Sequence, residues 1–117
     1  MKGDDIAERL LDFAARVIRL VDSLPKRLAG KHVGGQLLRC GTSAGANYEE
    51  GRGAESRADF VHKLGISRKE AREASYWLRL IQRANLIKPG LVSELIQESH
   101  EIGAILNASV KTAASRS

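Results

Sequence analysis

An all-α fold, a bundle of four helices, is predicted for this 117-residue chain by three observations. Four stretches carry apolar residues at the i, i+3, i+4, i+7 spacing of a helix, and none alternates polar and apolar residues as a half-buried strand would. The connections between them are short. The two prolines, Pro25 and Pro89, stand where helix boundaries are wanted. One domain, residues 1–117, is the natural count at this length, and 43% hydrophobic residues suffice for one core.

Asp4 or Asp5 is expected to cap a first helix reaching about Ser23, because Ile6, Leu10, Phe13, Ala14, Val17, Ile18 and Val21 recur on one face. Leu24-Pro25 ends it. After Lys26 to Lys31 a second helix is expected from about Val33 to Glu50, stopped by Gly51 and Gly53. Ser56, with Asp59 three residues later, comes close to a capping box and opens the third and longest helix, which runs to about Leu86. Phe60, Leu64, Ser67, Ala71, Ala74, Leu78 and Ile81 alternate steps of four and three along it, the seam of a left-handed bundle. Pro89 suits the first turn of a fourth helix, with Leu91, Leu95, Ile96, Ile102, Ile105, Leu106, Val110 and Ala113 as its apolar face. Ala114 to Ser117 are expected to fray.

Gly41-Thr42-Ser43-Ala44-Gly45 satisfies the G-x-S-x-G elbow of serine hydrolases, and Asp59, His62 and His100 follow in the order a triad needs. An elbow requires a strand entering a sharp turn, whereas Val33, Leu37, Cys40, Gly41, Ala44, Tyr48 and Gly51 fall on one helical stripe that leaves Ser43 off it. The segment is therefore read as a helix with small residues for close packing, and no catalytic residue is assigned. Two interior glycines weaken a helix by about 2 kcal/mol, which contact with a neighbour must offset. The small residues 67, 71 and 74 of the third helix offer a matching surface for Gly41 and Gly45.

The net charge is +5 and the pI about 9.7, which favours attraction to polyanions. A lone cysteine, Cys40, leaves no internal disulfide and no cysteine-based zinc site. Glu-x-x-His, the signature of carboxylate-bridged di-metal bundles, does not occur, so neither metal nor cofactor is expected. With no basic-then-apolar leader and no apolar run near 18 residues, the cytoplasm is the expected location and no membrane is involved.

Two polar patterns stand apart from the core. Lys63 and Glu70 project from the arc of Ala74, Trp77 and Ile81, so they are expected to share partners such as Asn47 and Glu50 on the second helix, a network fixing helix register or a subunit contact. Arg57, Arg68, Arg72, Arg79 and Arg83 fall within an arc of roughly 80° on the third helix. Arginine at all five positions suits forked contacts to phosphate or carboxylate. The stripe is either an anion-binding, candidate nucleic-acid surface or a solvated face.

The run Arg39 to Gly51, followed by Phe60-Val61-His62-Lys63-Leu64 and by Lys69-Glu70-Ala71-Arg72-Glu73-Ala74-Ser75-Tyr76-Trp77-Leu78, resembles the four-helix bundle proteins first noted as reading frames in intervening sequences of bacterial 23S ribosomal RNA genes. The resemblance covers nearly the whole chain. It implies an antiparallel up-down-up-down four-helix bundle that assembles as a ring-like homopentamer. The family pattern falls here on Arg39, Ser43, Asn47, Glu50, Gly51, Lys69, Glu70, Glu73 and Trp77, whereas Cys40 and Ala44 replace a more usual serine and larger aliphatic residue. A related member, the accessory protein of diversity-generating retroelements, forms a basic pentameric barrel that binds nucleic acid and a reverse transcriptase. The expectation is thus a non-enzymatic homo-oligomer contacting DNA, RNA or a nucleic-acid enzyme such as a reverse transcriptase. The alternative is a structural or protein-interaction module with no nucleic-acid role.

Overall fold

The computed structural model describes residues 2–116. Helix α1 spans Gly3–Asp22, α2 Leu28–Arg52, α3 Arg57–Arg83 and α4 Ser93–Ser115, with a turn of 3-10 helix at Pro89–Leu91, and no strand occurs among the described residues. The 27-residue α3 is roughly 40 Å long at 1.5 Å per residue. Residues 53–56 before it reach about 14 Å at most, so the chain must reverse at each connection, and each helix lies antiparallel to the one before. The result is an up-down-up-down four-helix bundle of 46 × 21 × 19 Å, with α1 on α2, α2 on α3, α3 on α4, and α1 returning beside α4.

Several boundaries differ from the sequence expectation. Neither Asp4 nor Asp5 caps α1; Lys2 stands at the cap position, and both carboxylates lie in the first turn, where the helix dipole favours them. Helix α2 begins at Leu28 rather than near Val33, because the connection folds tightly onto its first turn. A β-carbon at residue 30 would sit 2.0 Å from the Pro25 carbonyl oxygen, so only glycine fits there. Gly51 does not stop α2. It is buried inside the helix against Lys63 and Leu64, and the helix ends at Gly53, whose N–H meets the Glu49 and Glu50 carbonyls.

Ser56 does cap α3, accepting from the Asp59 N–H at 3.1 Å. Helix α3 stops at Arg83, three residues before the expected Leu86. Asn85 takes the left-handed conformation at φ 55°, its N–H meets the Gln82 carbonyl at 3.2 Å, and the Leu86 N–H returns to the Ile81 carbonyl at 3.1 Å. Pro89 opens the 3-10 turn, not α4, and Val92 behind it is fully buried. Ala114 and Ser115 stay helical, while Ser117 lies outside the described residues.

The core follows the periodic stripes. All seven residues of the α2 stripe are buried, as are Leu64, Ser67, Ala71, Ala74, Leu78 and Ile81 on α3. Ser67 places its hydroxyl in this interior by donating to the Ala44 carbonyl at 2.7 Å. Leu10, Phe13 and Val17 complete the centre from α1, and Ile102 and Leu106 from α4. Ile18 and Leu91 depart from their expected faces and remain 44% and 58% exposed.

Gly41 and Gly45 do allow a close approach, but to α1 rather than to the small residues of α3. A β-carbon at residue 41 would lie 2.9 Å from Val17 Cγ1, and one at residue 45 would lie 3.3 Å from Leu10 Cβ. Of the small residues of α3, Ser67 meets α2 at the Ala44 carbonyl instead. Replacing Gly41 or Gly45 by leucine should therefore destabilise the bundle by about 1 to 3 kcal/mol through overpacking against α1. Gly65→Ala, where a β-carbon meets nothing within 4 Å, should instead raise stability by up to about 1 kcal/mol. Denaturant unfolding measures both, and wild-type midpoints for the two leucine variants would refute the tight contact.

Candidate nucleic-acid interface

Three of the five stripe arginines, Arg68, Arg72 and Arg79, line a surface groove of about 980 Å³ between α3 and α4. They repeat at steps of four and seven residues, so the helix carries all three on one edge over roughly 16 Å. From α3 the groove also receives Lys69, Ser75 and Tyr76, and from α4 Ser99, His100, Gly103, Ala104 and Asn107. None of these residues is acidic. Arg57 and Arg83 lie outside the groove, near the two ends of α3, and the Arg57 guanidinium sits 6.0 Å from the centre of the Phe60 ring.

The groove is positive because no carboxylate lines it, and Glu70, Glu73, Glu98 and Glu101 are engaged elsewhere. On α3, Glu70 and Glu73 turn to α2, where Arg39 pairs with Glu70 at 3.1 Å and with Glu73 in a closer contact. On α4, Glu98 and Glu101 turn to α1, where Arg9 forks onto Glu98 at 2.7 Å and reaches Glu101 at 2.9 Å. Arg16 approaches Glu94 at 3.9 Å on the same seam. These bonds hold the Arg9 guanidinium pKa well above its usual value, the Glu98 hydrogen bond being the largest cause. No ion pair engages any of the five stripe arginines among the described residues, and only Arg68 has a side-chain hydrogen-bond partner, Asn107 Oδ1 at 3.3 Å.

The four residues read as one polar network separate into three local contacts. Lys63 donates to Glu50 at 2.9 Å, with both side chains partly exposed rather than buried, and this bond raises the Lys63 pKa. Glu70 meets Arg39, not Asn47 or Glu50. Asn47 bonds within α2, donating to the Ser43 carbonyl at 3.0 Å and the Ser43 hydroxyl at 2.9 Å. The antiparallel register explains the split: moving down α3 from Lys63 to Ser67 to Glu70 moves up α2 from Glu50 to Ala44 to Arg39. Two turns along α3 carry Glu70 past the reach of Glu50.

Beside Arg39 lies an aromatic cluster. Trp77 donates its indole N–H to Glu73 at 2.9 Å, the His32 ring stands 6.0 Å from it, and the Tyr76 ring packs edge-on at 5.0 Å and 80°. Cys40, next to Arg39 in α2, is fully buried, and burial pushes its thiol pKa up to about 12, leaving it a core residue rather than a nucleophile. Ala44, also fully buried, provides the carbonyl that satisfies Ser67. The G-x-S-x-G segment lies wholly inside α2, and no strand enters it. Among the described residues no group of three histidine, cysteine or carboxylate side chains is placed to hold a metal, and no helix is long and apolar enough to cross a membrane.

The α1–α4 ion pairs were not anticipated from sequence. Their signal is the spacing of Arg9 and Arg16, two turns apart, against Glu94, Glu98 and Glu101 at helical steps of four and three. Each set therefore lies on one face.

The fold places the chain among antiparallel four-helix bundles, and in this chain the third and fourth helices share a groove lined by no acidic residue. Residues 4–108 match the 23S rRNA-intervening sequence protein family, and the chain belongs to it. Among solved structures it is similar to a protein of unknown function from the S23 ribosomal protein family of Bacteroides thetaiotaomicron, with 37% identity and a TM-score of 0.81, covering 95% of this chain and 99% of that one. No curated protein matches the chain.

Proposed function

We propose that the chain works without catalysis, as a cytoplasmic, self-associating bundle whose α3–α4 groove contacts the phosphates of nucleic acid or docks on a complex that contains it. The observation that carries this reading is the segregation of charge. Three unpaired or weakly held arginines and a lysine share a groove lined by no carboxylate, while Glu70 and Glu73 of α3 and Glu94, Glu98 and Glu101 of α4 face Arg39, Arg9 and Arg16 instead. Arginine presents a planar fork that matches phosphate oxygens. A nucleic-acid enzyme, a reverse transcriptase for example, is the protein partner that fits such a surface.

Self-association is supported by apolar side chains outside the groove. Leu11 and Ile18, two turns apart on α1, and Leu38, one turn before Gly41 on α2, stay 62%, 44% and 39% exposed. A homopentamer is the assembly proposed, following the resemblance of the sequence to ring-forming bundles. The non-catalytic reading rests on Ser43, whose hydroxyl accepts from Asn47 within a regular helix and has no histidine partner among the described residues.

Light scattering should give a solution mass near five times 12.8 kDa; a stable monomer at micromolar concentration would remove the ring. A serine-directed fluorophosphonate should leave Ser43 unlabelled, and covalent labelling there would revive a hydrolase. For the groove, log affinity for nucleic acid should fall with log salt, the slope lessening by about one for each arginine removed. A triple variant, Arg68→Glu, Arg72→Glu and Arg79→Glu, should lose far more binding than a control of equal net charge that reverses the exposed Lys2, Lys26 and Lys111. Equal loss in both would leave only bulk charge, and the bundle would then be a structural or protein-interaction module.

A further inference from the structure

We infer that the groove selects single-stranded nucleic acid, with an unpaired base stacked on Tyr76. The inference rests on the groove being the nucleic-acid surface. Of the five Phe, Tyr and Trp residues, Phe13 and Tyr48 are buried, Phe60 and Trp77 are half-buried, and Tyr76 alone is exposed, at 56%. That one exposed ring lines the groove, four residues after Arg72 and three before Arg79, so it sits between two phosphate-binding forks on the same helical edge.

The ring is braced. Trp77 packs edge-on against it at 5.0 Å and is itself tied to Glu73 by its indole N–H, while Glu73 is held by Arg39. The Tyr76 hydroxyl has no hydrogen-bond partner among the described residues. An apolar surface fixed in position and left open to water beside cations is the arrangement that binds single strands: cations track the backbone, and a ring face receives a base without regard to its identity. Paired bases are stacked on one another inside a duplex and expose only their edges in the grooves. Tyr76 cannot reach their faces without unstacking them.

The far wall supplies groups for base edges. His100 is exposed on α4, and Asn107 accepts from Arg68 through Oδ1, which leaves its amide N–H groups free to donate. Small residues, Gly103 and Ala104, lie between them and keep that wall low.

The test uses fluorescence anisotropy with a labelled 20-nucleotide oligo(dT), the matching oligo(U), and a 20-base-pair DNA duplex, at one fixed salt concentration. The wild type should bind both single strands more tightly than the duplex. Base stacking on an aromatic contributes 1 to 3 kcal/mol per base, so Tyr76→Ala should weaken single-strand binding by about 5- to 150-fold while leaving duplex binding and the salt slope unchanged. Tyr76→Phe should retain wild-type binding, since it keeps the ring, and an unchanged unfolding midpoint of Tyr76→Ala guards against a folding defect. Wild-type affinity of Tyr76→Ala for oligo(dT), or an equal loss on strand and duplex, would overturn the stacking inference. If the triple arginine variant still loses binding in that case, the groove stands and only the base contact fails. If the triple variant and the lysine control lose binding equally, the groove itself fails.

Discussion

The close approach of α1 to α2 is the constraint on which the rest of the bundle depends. Two glycines in the middle of α2 sacrifice helix propensity, and their missing β-carbons are filled by Val17 and Leu10 of α1. With α1 seated in this way, the opposite edge of α2 is left to α3. There Ala44 is small enough for Ser67 to reach its backbone carbonyl, so a polar side chain enters the core without leaving an unsatisfied group. Helix α2 thus serves as the spine, and its small residues set the distance of both neighbours.

The spacing of the helices then arranges the charge. Once α2 and α3 are in register, Arg39 stands opposite Glu70 and Glu73, and the acidic edge of α3 is occupied. Helix α4 packs on α3 with its own acidic edge toward α1, where Arg9 and Arg16 receive it. What remains between α3 and α4 is basic on one wall and polar or small on the other. The groove is a remainder of the packing, and its sign follows from where the carboxylates found partners.

Much of the fold was legible in the sequence because the apolar periods on α2 and α3 are unbroken, and every residue read onto the α2 stripe is buried. The boundaries were harder. Glycine has opposite meanings at a helix end and at a helix contact, so Gly51 read as a stop while serving as a contact with α3. The start of α2 was hidden for the same reason, since Gly30 looks like loop composition and is needed because Pro25 passes against it. The arginine stripe was visible at 100° per residue, but a wheel for one helix cannot say which part of the stripe faces a neighbouring helix. Arg68, Arg72 and Arg79 gained a shared groove, while Arg57 and Arg83 did not. Lys63 with Glu50 followed from proximity of arcs, whereas Glu70 went to Arg39 because register, invisible within either helix alone, decided it.

The seam between α1 and α4 has a bearing on how the chain reaches this structure. The other three seams join helices that are consecutive in sequence, so each can close as a local hairpin at small loop entropy. The α1–α4 seam joins residues 89 apart in the chain, Arg9 and Glu98, and it rests on ion pairs at a partly exposed edge. A contact so distant in sequence is slow to form from the open chain, yet it becomes a short-range event once the three hairpins have folded. The connectivity therefore favours closure from neighbour to neighbour, with the electrostatic clasp of α1 and α4 the costliest contact to close first.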